Sequence, residues 1–216
     1  MNTPMIQVIP IVSMPFDENS YLVFVEGQRD AVVIDPGLEP AKIMRQVKQH
    51  DLTIVAILNT HGHADHIAGN ELMKKQFPAA PLLIGEVDAP MLSDSTLNLS
   101  APFGMSIISP PADRLLHEGD ELTLAGIHWK VRDIPGHSPG HMVFIVQSAN
   151  QLIVFGGDTL FQGGIGRTDF PGGSLEQLLH GIRNKLFTLP DDTIVLPGHG
   201  DATTVGEEKR SNPYVN

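Results

Sequence analysis

The stretch Asn59-Thr-His-Gly-His-Ala-Asp-His-Ile-Ala-Gly69 places three histidines and one aspartate in the six positions from His61 to His66. The apolar run TIVAILN before it is typical of a buried strand, and the residues after it have the pattern of a helix. Imidazoles and carboxylates that are buried without partners cost free energy. The stretch therefore predicts metal ligands at the end of a strand.

The spacing within this stretch divides the candidate ligands into two pairs. His61 and His63 are two residues apart in an extended turn, so both side chains can face one ion. Asp65 and His66 follow on the next turn, where the chain rotates, and can face a second ion. We therefore expect two metal ions side by side.

Three more apolar strands end in polar, glycine-containing turns, in VRDIPGH, LIVFGGD and TIVLPGH. These turns carry His137, Asp158 and His199, and strand ends of a sheet meet at a rigid edge. Seven ligands are too many for one tetrahedral ion, whereas two ions would keep open positions for water and substrate. Asp158 stands alone on its turn and is the candidate to bridge the ions. Imidazole with carboxylate suits zinc, and also iron, manganese or nickel.

The first half of the chain predicts strands at MIQVIPIV, NSYLVFVEG, DAVVIDPG and TIVAILN, with a further short strand at Pro81–Ile84. LEPAKIMRQVKQH and DHIAGNELMKKQF have helical patterns. The segment from Val87 to Pro111 is predicted to be mostly loop with a short helix, because Pro, Ser and Asn are scattered through it.

The second half repeats the strand pattern. DELTLAG and IHWKVRDIPGH predict a hairpin that turns at Ala125-Gly126, and HMVFIVQS with NQLIVFGGD predicts another. GGSLEQLLHGIRNKLF is the clearest helix, with Ser174 and Gln177 at capping-box spacing, and DTIVLPGHG is the last strand. Two blocks of strands, each with helices, predict two sheets packed face to face with the helices outside.

Composition restricts the class of function. The chain has 216 residues, 14 Lys+Arg against 25 Asp+Glu, a net charge of −11 and no cysteine. The acidic balance argues against nucleic acid and membrane partners, and the absence of cysteine excludes disulfides and thiolate ligands. No apolar run approaches the roughly 18 residues that span a bilayer. With no visible export signal, we expect a cytoplasmic protein.

The motifs THGHADH, PGHSPGH, GGDTLF and PGHG resemble, in order and spacing, those of the metallo-β-lactamase superfamily, over nearly the whole chain. GDTLFQGGIGRTDFPGG is most similar to glyoxalase II-like hydrolases, the hydroxyacylglutathione hydrolase family. The resemblance implies an α+β fold, an αββα four-layer sandwich with the metal site at one edge of the sheets. It also implies two divalent ions, with zinc expected and iron or manganese as alternatives. The implied ligands are His61, His63 and His137 for one ion, Asp65, His66 and His199 for the other, and Asp158 as the bridge.

The family reaction is hydrolysis of a small-molecule thioester, such as S-D-lactoylglutathione, to a hydroxy acid and a free thiol by a metal-bound hydroxide. Asp65 would orient the hydroxide or take its proton, and Arg167 matches a basic residue that contacts glutathione. We expect residues 1–216 to form one domain without the C-terminal helical extension of full-length glyoxalase II. Gly200 and Asp201 stand where that family has an aromatic residue. The pattern resembles the short, single-domain proteins of this family, and the oligomeric state is left open.

Other readings use the same motifs. A mononuclear iron persulfide dioxygenase, an oxidoreductase, would need only two histidines and one aspartate. A lactonase or β-lactamase would use the same metals for hydrolysis. The complete second set, with His66 and His199, favours the hydrolase. His141 is expected to support a ligand or to be structural, because a histidine that binds metal usually has a hydrogen-bonding neighbour. Asp35 ends a strand beside the site and is expected to be structural rather than catalytic.

Overall fold

The structure, a computed structural model, describes residues 4–149 and 151–215. Its strands, in chain order, are β1 Ile6–Ser13, β2 Glu18–Val25, β3 Asp30–Ile34, β4 Thr53–Leu58, β5 Leu82–Gly85, β6 Arg114–Leu116, β7 Glu121–Leu124, β8 Ile127–Asp133, β9 Met142–Ser148, β10 Gln151–Gly157, β11 Leu160–Phe161, β12 Gly164–Ile165, β13 Ile194–Pro197 and β14 Thr203–Thr204. The α-helices are α1 Pro40–Gln49, α2 Ala64–Ile67, α3 Asn70–Gln76, α4 Leu175–Gly181 and α5 Val205–Ser211. Short 3₁₀ helices cover Ala89–Ser93 and Ala101–Phe103, and a π-helical turn covers Ile182–Leu186.

The strands form two six-stranded sheets and a small two-stranded sheet. The first sheet has the order β1-β2-β3-β4-β5-β6, antiparallel from β1 to β3 and parallel from β3 to β6. The second has the order β14-β13-β10-β9-β8-β7, in which only β10 and β13 pair in parallel. β11 and β12 form the small sheet.

The core has three apolar layers that separate four layers of secondary structure. Val32 and Ile34 of β3 point between the two sheets, where they join Trp129, Phe144 and Phe155 of the second sheet. The alternate residues of the strands face outward. On the first sheet these outward residues pack in one cluster with α1 and α3, and on the second sheet in another cluster with α4 and α5. The predicted αββα sandwich is therefore confirmed.

The hairpin predicted at Ala125-Gly126 is also present. Ala125 and Gly126 have φ angles of 51° and 70°, which match the type I′ turn that suits a two-residue hairpin. β9 and β10 form the second predicted hairpin, although the first residue of the predicted NQLIVFGGD strand lies outside the described residues. Within the part of the chain that the structure describes, no helix has the length and apolar character to cross a bilayer.

Two predicted helices are interrupted. The helix predicted for 65–77 is split into α2 and α3, because the Gly69 amide donates to the Pro36 carbonyl at 2.7 Å. A Cβ at Gly69 would lie 2.8 Å from that oxygen, so only glycine fits this close approach. The helix predicted for 172–187 continues past α4 as a π-helical turn, in which the Phe187 amide donates to the Ile182 carbonyl at 2.9 Å.

Five elements were not predicted from the sequence, namely β6, β11, β12, β14 and α5. β6 adds a parallel edge strand to the first sheet. α5 follows β14, and the side chain of its N-cap residue Thr204 accepts from the Glu207 amide at 3.2 Å. The signal for α5 was present, because Thr204 and Glu207 have capping-box spacing.

Candidate metal centre

The seven predicted ligands come from the ends of four strands, and the structure brings all of them together. β4 leads to His61, and β8 to His137. β10 leads to Asp158, and β13 to His199. The two sheets are joined at this edge, because the Met142 amide donates to the Thr60 carbonyl at 2.7 Å. The site thus spans both halves of the sandwich.

The first set consists of His61, His63 and His137. Each ring offers one nitrogen, and the three nitrogens lie within 4.8 Å of one another. His63 Nδ1 and His137 Nε2 are 2.9 Å apart. All three side chains are buried, and their nitrogens converge on one point. The geometry suits one ion.

The second set consists of Asp65, His66 and His199, whose ligand atoms also lie within 4.8 Å of one another. His66 Nε2 is 3.3 Å from His199 Nε2, and Asp65 Oδ2 is 3.4 Å from His199 Nε2. Asp65 and His199 are half-buried, so this set is open on one side. The geometry suits a second ion with access to solvent.

Asp158 lies between the two sets. Its Oδ2 is 3.3 Å from His137 Nε2 of the first set and 3.5 Å from His199 Nε2 of the second. Its Oδ1 is 3.5 Å from His66 Nε2. A carboxylate in this place reaches both sets, as a bridging ligand must.

In three of the rings, the nitrogen that faces away from the site has its own partner. His137 Nδ1 donates to the Arg167 carbonyl and His199 Nδ1 to the Phe16 carbonyl, both at 2.9 Å. His66 Nδ1 lies 3.1 Å from Asp35 Oδ2. Such partners orient the rings and determine which nitrogen faces the metal.

Asp35 lies behind the second set, and both of its carboxylate oxygens accept hydrogen bonds. Its Oδ1 accepts from the Thr60 amide at 2.7 Å and its Oδ2 from the Thr60 hydroxyl at 2.6 Å. That hydroxyl lies 3.0 Å from His61 Nδ1. Asp35 also lies close enough to His61 and His66 to form a third potential ligand group. Because it already binds the outer nitrogen of His66, we assign it an orienting role.

His141 supports Asp158 from behind. Its Nε2 accepts from the Asp158 amide at 3.0 Å, and its ring stacks on His61 with a centroid distance of 4.9 Å. Gly157 allows this arrangement, since a Cβ there would lie 2.7 Å from His141 Nε2.

Asp88 joins the loops that carry the first set, and sequence reasoning missed it. The side chain is fully buried. Its Oδ2 accepts from the Gly62 amide at 3.2 Å and from the Ser138 hydroxyl at 2.6 Å, while its Oδ1 accepts from the Gly140 amide at 2.6 Å. One carboxylate therefore links the turn of His61 and His63 with that of His137. It lies in the segment predicted as mostly loop, where no pattern marked it.

Two histidines of the first set, His61 and His63, are prepared to bind a cation as neutral imidazoles. Burial lowers the pKa values of His61 and His63 well below the usual value for histidine, and neighbouring imidazoles lower them further. Burial also lowers the pKa of His141. Neutral imidazole is the form that binds metal.

The second set is an array of opposite charges. Burial lowers the pKa of His66, but the carboxylates of Asp65 and Asp158 outweigh it, so the pKa is raised well above its usual value. Burial likewise opposes the raised pKa of His199, which results from its hydrogen bond with Asp65. In return, the two histidines outweigh the effect of burial on Asp65 and hold its pKa below its usual range.

Two buried polar atoms at the centre have no hydrogen-bond partner among the described residues, namely His61 Nε2 and Asp158 Oδ1. Buried polar groups are almost always paired, so each unpaired atom needs an explanation. Both atoms face the ligand sets and are common metal donors. The donor set of imidazoles and carboxylates thus fits two divalent ions.

A cleft of about 440 Å³ opens over the centre. Both ligand sets contribute to its floor, with Asp65 and His199 among the lining residues. Arg167 also lines it, forms a bidentate ion pair with Asp169 and lies over the Phe170 ring, 4.1 Å from its centroid. The residue that the sequence predicted to bind substrate is therefore at the cleft, but it is already paired.

Comparison with known proteins gives four results of note. A sequence profile of the metallo-beta-lactamase superfamily matches residues 14–199. The protein named Hydroxyacylglutathione hydrolase GloC from Haemophilus influenzae is 39% identical to this chain, over 98% of both sequences. The crystal structure of BLEG-1 B3 metallo-beta-lactamase has a TM-score of 0.90 at 37% identity, and covers 98% of this chain and 100% of its own. TTHA1623 in a di-iron-bound form has a TM-score of 0.83 at 36% identity, over 96% and 100%.

Proposed function

This chain belongs to the metallo-β-lactamase superfamily of metal-dependent hydrolases, and from that premise we propose that it hydrolyses thioesters at a two-metal centre. We propose the ligand sets described above, with His61, His63 and His137 on one side and Asp65, His66 and His199 on the other. Asp158 joins them as the bridge. The observation that carries the proposal is the position of Asp158 within 3.5 Å of ring nitrogens from both sets.

Two divalent ions supply polarisation of a carbonyl oxygen and activation of a water molecule when they are bound. The protein contributes position and charge. Asp65 lies at the floor of the cleft with a pKa held below its usual range, so its carboxylate stays ionised and can orient a water molecule by accepting a hydrogen bond from it. A thiol leaves readily as a thiolate, because its pKa is near 8.5. The leaving group therefore needs no acid residue in the cleft.

The choice of a thioester rests on the similarity to the hydroxyacylglutathione hydrolase, which extends over nearly the whole chain. For the metal we propose zinc, which suits imidazole and carboxylate ligands, with iron or manganese as alternatives. The di-iron form of TTHA1623 supports iron as the principal alternative. We propose a cytoplasmic enzyme that acts on small molecules, with Arg167 contacting the substrate.

The test is turnover of S-D-lactoylglutathione by protein loaded with zinc or iron, with metal content measured for each sample. We expect metal-dependent release of thiol and a loss of at least 100-fold in kcat/KM for His66→Ala. His128→Ala is the matched control, because His128 is an exposed histidine far along the second sheet. Oxygen uptake with glutathione persulfide, in protein that holds one iron per chain, would instead identify a persulfide dioxygenase.

Hydrolysis of β-lactams is the second candidate function. The observation that favours it is the TM-score of 0.90 with BLEG-1, whose name describes a B3 metallo-beta-lactamase. The same metal-loaded protein should be assayed with a chromogenic cephalosporin. Turnover of the cephalosporin without turnover of any thioester would replace our proposal with this one.

A further inference from the structure

The walls of the cleft above the metal centre are largely apolar. Its apolar side chains include Phe16, Leu99, Phe103, Met105, Phe161 and Phe170. A cleft of about 440 Å³ falls within the range of sites for small ligands, which are commonly lined by apolar and aromatic groups around a few polar ones. The polar groups here are concentrated at the floor, at the metal-binding residues.

Phe16 and Phe103 form an aromatic pair at the wall of the cleft. Their ring centroids are 5.7 Å apart with an interplanar angle of 69°, which is an edge-to-face contact. Phe103 is 61% exposed and Phe16 36% exposed, so the pair presents apolar area to solvent. A ligand that covers such area gains hydrophobic free energy.

The backbone holds one member of this pair next to the second ligand set. The Phe16 carbonyl accepts from His199 Nδ1 at 2.9 Å, so the position of Phe16 is tied to that of a metal-binding ring. Phe161 also lies beside His199, with a centroid distance of 6.3 Å. An apolar group that packs here therefore lies close to the metal-binding residues, where the reacting bond of the same molecule can be placed.

The cleft offers little free positive charge. Arg167 is the one Lys or Arg among the described residues that line it. Its Nε and Nη2 donate to the Asp169 carboxylate at 2.8 and 2.7 Å. The negative charge of Asp169 therefore compensates the positive charge of Arg167. A thiol that carries two carboxylates, such as glutathione, would find no uncompensated Lys or Arg among these lining residues.

We propose that the cleft selects thioesters that carry an apolar, uncharged group, and that this group packs on Phe16 and Phe103. The proposal rests on the thioesterase function proposed above. It assigns Phe103 as a determinant of specificity and Asp169 as a determinant of the preference against anionic thiols.

The test uses N-acetylcysteamine thioesters, because this thiol is uncharged, with acetyl, hexanoyl and benzoyl groups. For metal-loaded wild type we expect kcat/KM to rise at least tenfold from acetyl to hexanoyl or benzoyl, mainly through KM. Phe103→Ala should remove most of this rise, because kcat/KM falls more for the hexanoyl and benzoyl thioesters than for the acetyl thioester. Leu97→Ala is the control, since Leu97 is exposed on the same segment but does not line the cleft. Equal kcat/KM values across the series, or a Phe103→Ala variant that keeps the full rise, would overturn the proposal.

The charge compensation is tested separately. Asp169→Asn should lower KM for S-D-lactoylglutathione severalfold and leave KM for the uncharged hexanoyl thioester unchanged, because it frees Arg167. Equal KM values in the variant and the wild type for lactoylglutathione would overturn the role of Asp169.

A binding experiment separates this proposal from the proposed function. S-hexyl N-acetylcysteamine is a thioether that cannot be hydrolysed, and its affinity is measured by calorimetry on metal-loaded protein. We expect Phe103→Ala to weaken its binding about fivefold or more, and Leu97→Ala to leave it unchanged. If no thioester is hydrolysed but this difference persists, the proposed thioesterase function is wrong while the apolar binding site at Phe16 and Phe103 is supported. Equal binding by the wild type and Phe103→Ala would overturn the apolar binding site.

Discussion

Asp88→Ala removes the carboxylate that joins the two loops of the first ligand set. The change leaves three donors without their acceptor, namely the amides of Gly62 and Gly140 and the hydroxyl of Ser138. Each buried donor left unpaired costs about 1–3 kcal/mol. Burial raises the pKa of Asp88, because a buried carboxylate charge is unfavourable. The cost of burying this charge offsets part of the stabilisation from the three hydrogen bonds. We therefore expect the free energy of unfolding to fall by about 4 kcal/mol, within the range seen when one partner of a buried polar network is removed.

The assay is urea unfolding of the metal-free protein, followed by the fluorescence of Trp129, the single and fully buried tryptophan. Asp88→Asn keeps the shape and one acceptor oxygen and should lose about half as much, while the exposed Asp192→Ala is the control. Chelator competition should then show about 10–100-fold weaker metal binding to Asp88→Asn. A loss of less than about 1 kcal/mol in Asp88→Ala would show that the three hydrogen bonds do not hold these loops together.

Three further changes test other parts of the site and fold. Asp35→Asn should weaken binding of the second ion about 10–100-fold, because His66 loses the carboxylate that orients its ring. If calorimetry gives the same affinity for the second ion in the variant and in the wild type, the orienting role is contradicted. Although burial raises it, hydrogen bonds from neighbouring donors such as Lys185 lower the pKa of Glu118 to about 2, below the unfolded value near 4.5. Glu118 thus stabilises the fold above pH 4.5, and this contribution of about 1 kcal/mol, reduced by solvent exposure, disappears as the pH falls towards 2. Glu118→Gln should flatten the loss of stability over that range in metal-free protein, and an unchanged profile would refute the assignment. Gly157→Ala should cost more than about 1 kcal/mol in urea unfolding, because φ is 48° and the new Cβ would lie 2.4 Å from a side-chain oxygen, and an unaffected midpoint would contradict this strain.

The layered fold and the location of the site followed from local patterns. Apolar strands that end in glycine and histidine can be recognised residue by residue, and two sheets packed face to face with the helices outside were predicted from them. The name of the fold, the αββα sandwich, came from the family resemblance. The break at Gly69 could not be read in this way, because it depends on the Pro36 carbonyl from another part of the chain. The apolar patterns of the strands therefore predicted the fold more reliably than the helical patterns predicted where each helix ends.

The supporting residues of the site were harder to predict than its candidate ligands. Asp35 was predicted to be a structural residue at a strand end, and its bonds to Thr60 and His66 exist only after β3 and β4 pair. Asp88 has no sequence pattern at all, since its partners are two backbone amides and one hydroxyl from distant loops. The walls of the cleft come from Phe16 and Phe103, 87 positions apart in the chain, and only the fold brings them into contact.

The central claim is that two ions, held on either side of Asp158, are needed for hydrolysis. The most direct test is the rate of S-D-lactoylglutathione turnover by metal-free protein to which zinc or iron is added in steps, with bound metal measured at each step. We predict that turnover continues to rise until two ions are bound per chain. Full turnover with a single bound ion, and no further change with the second, would contradict the claim.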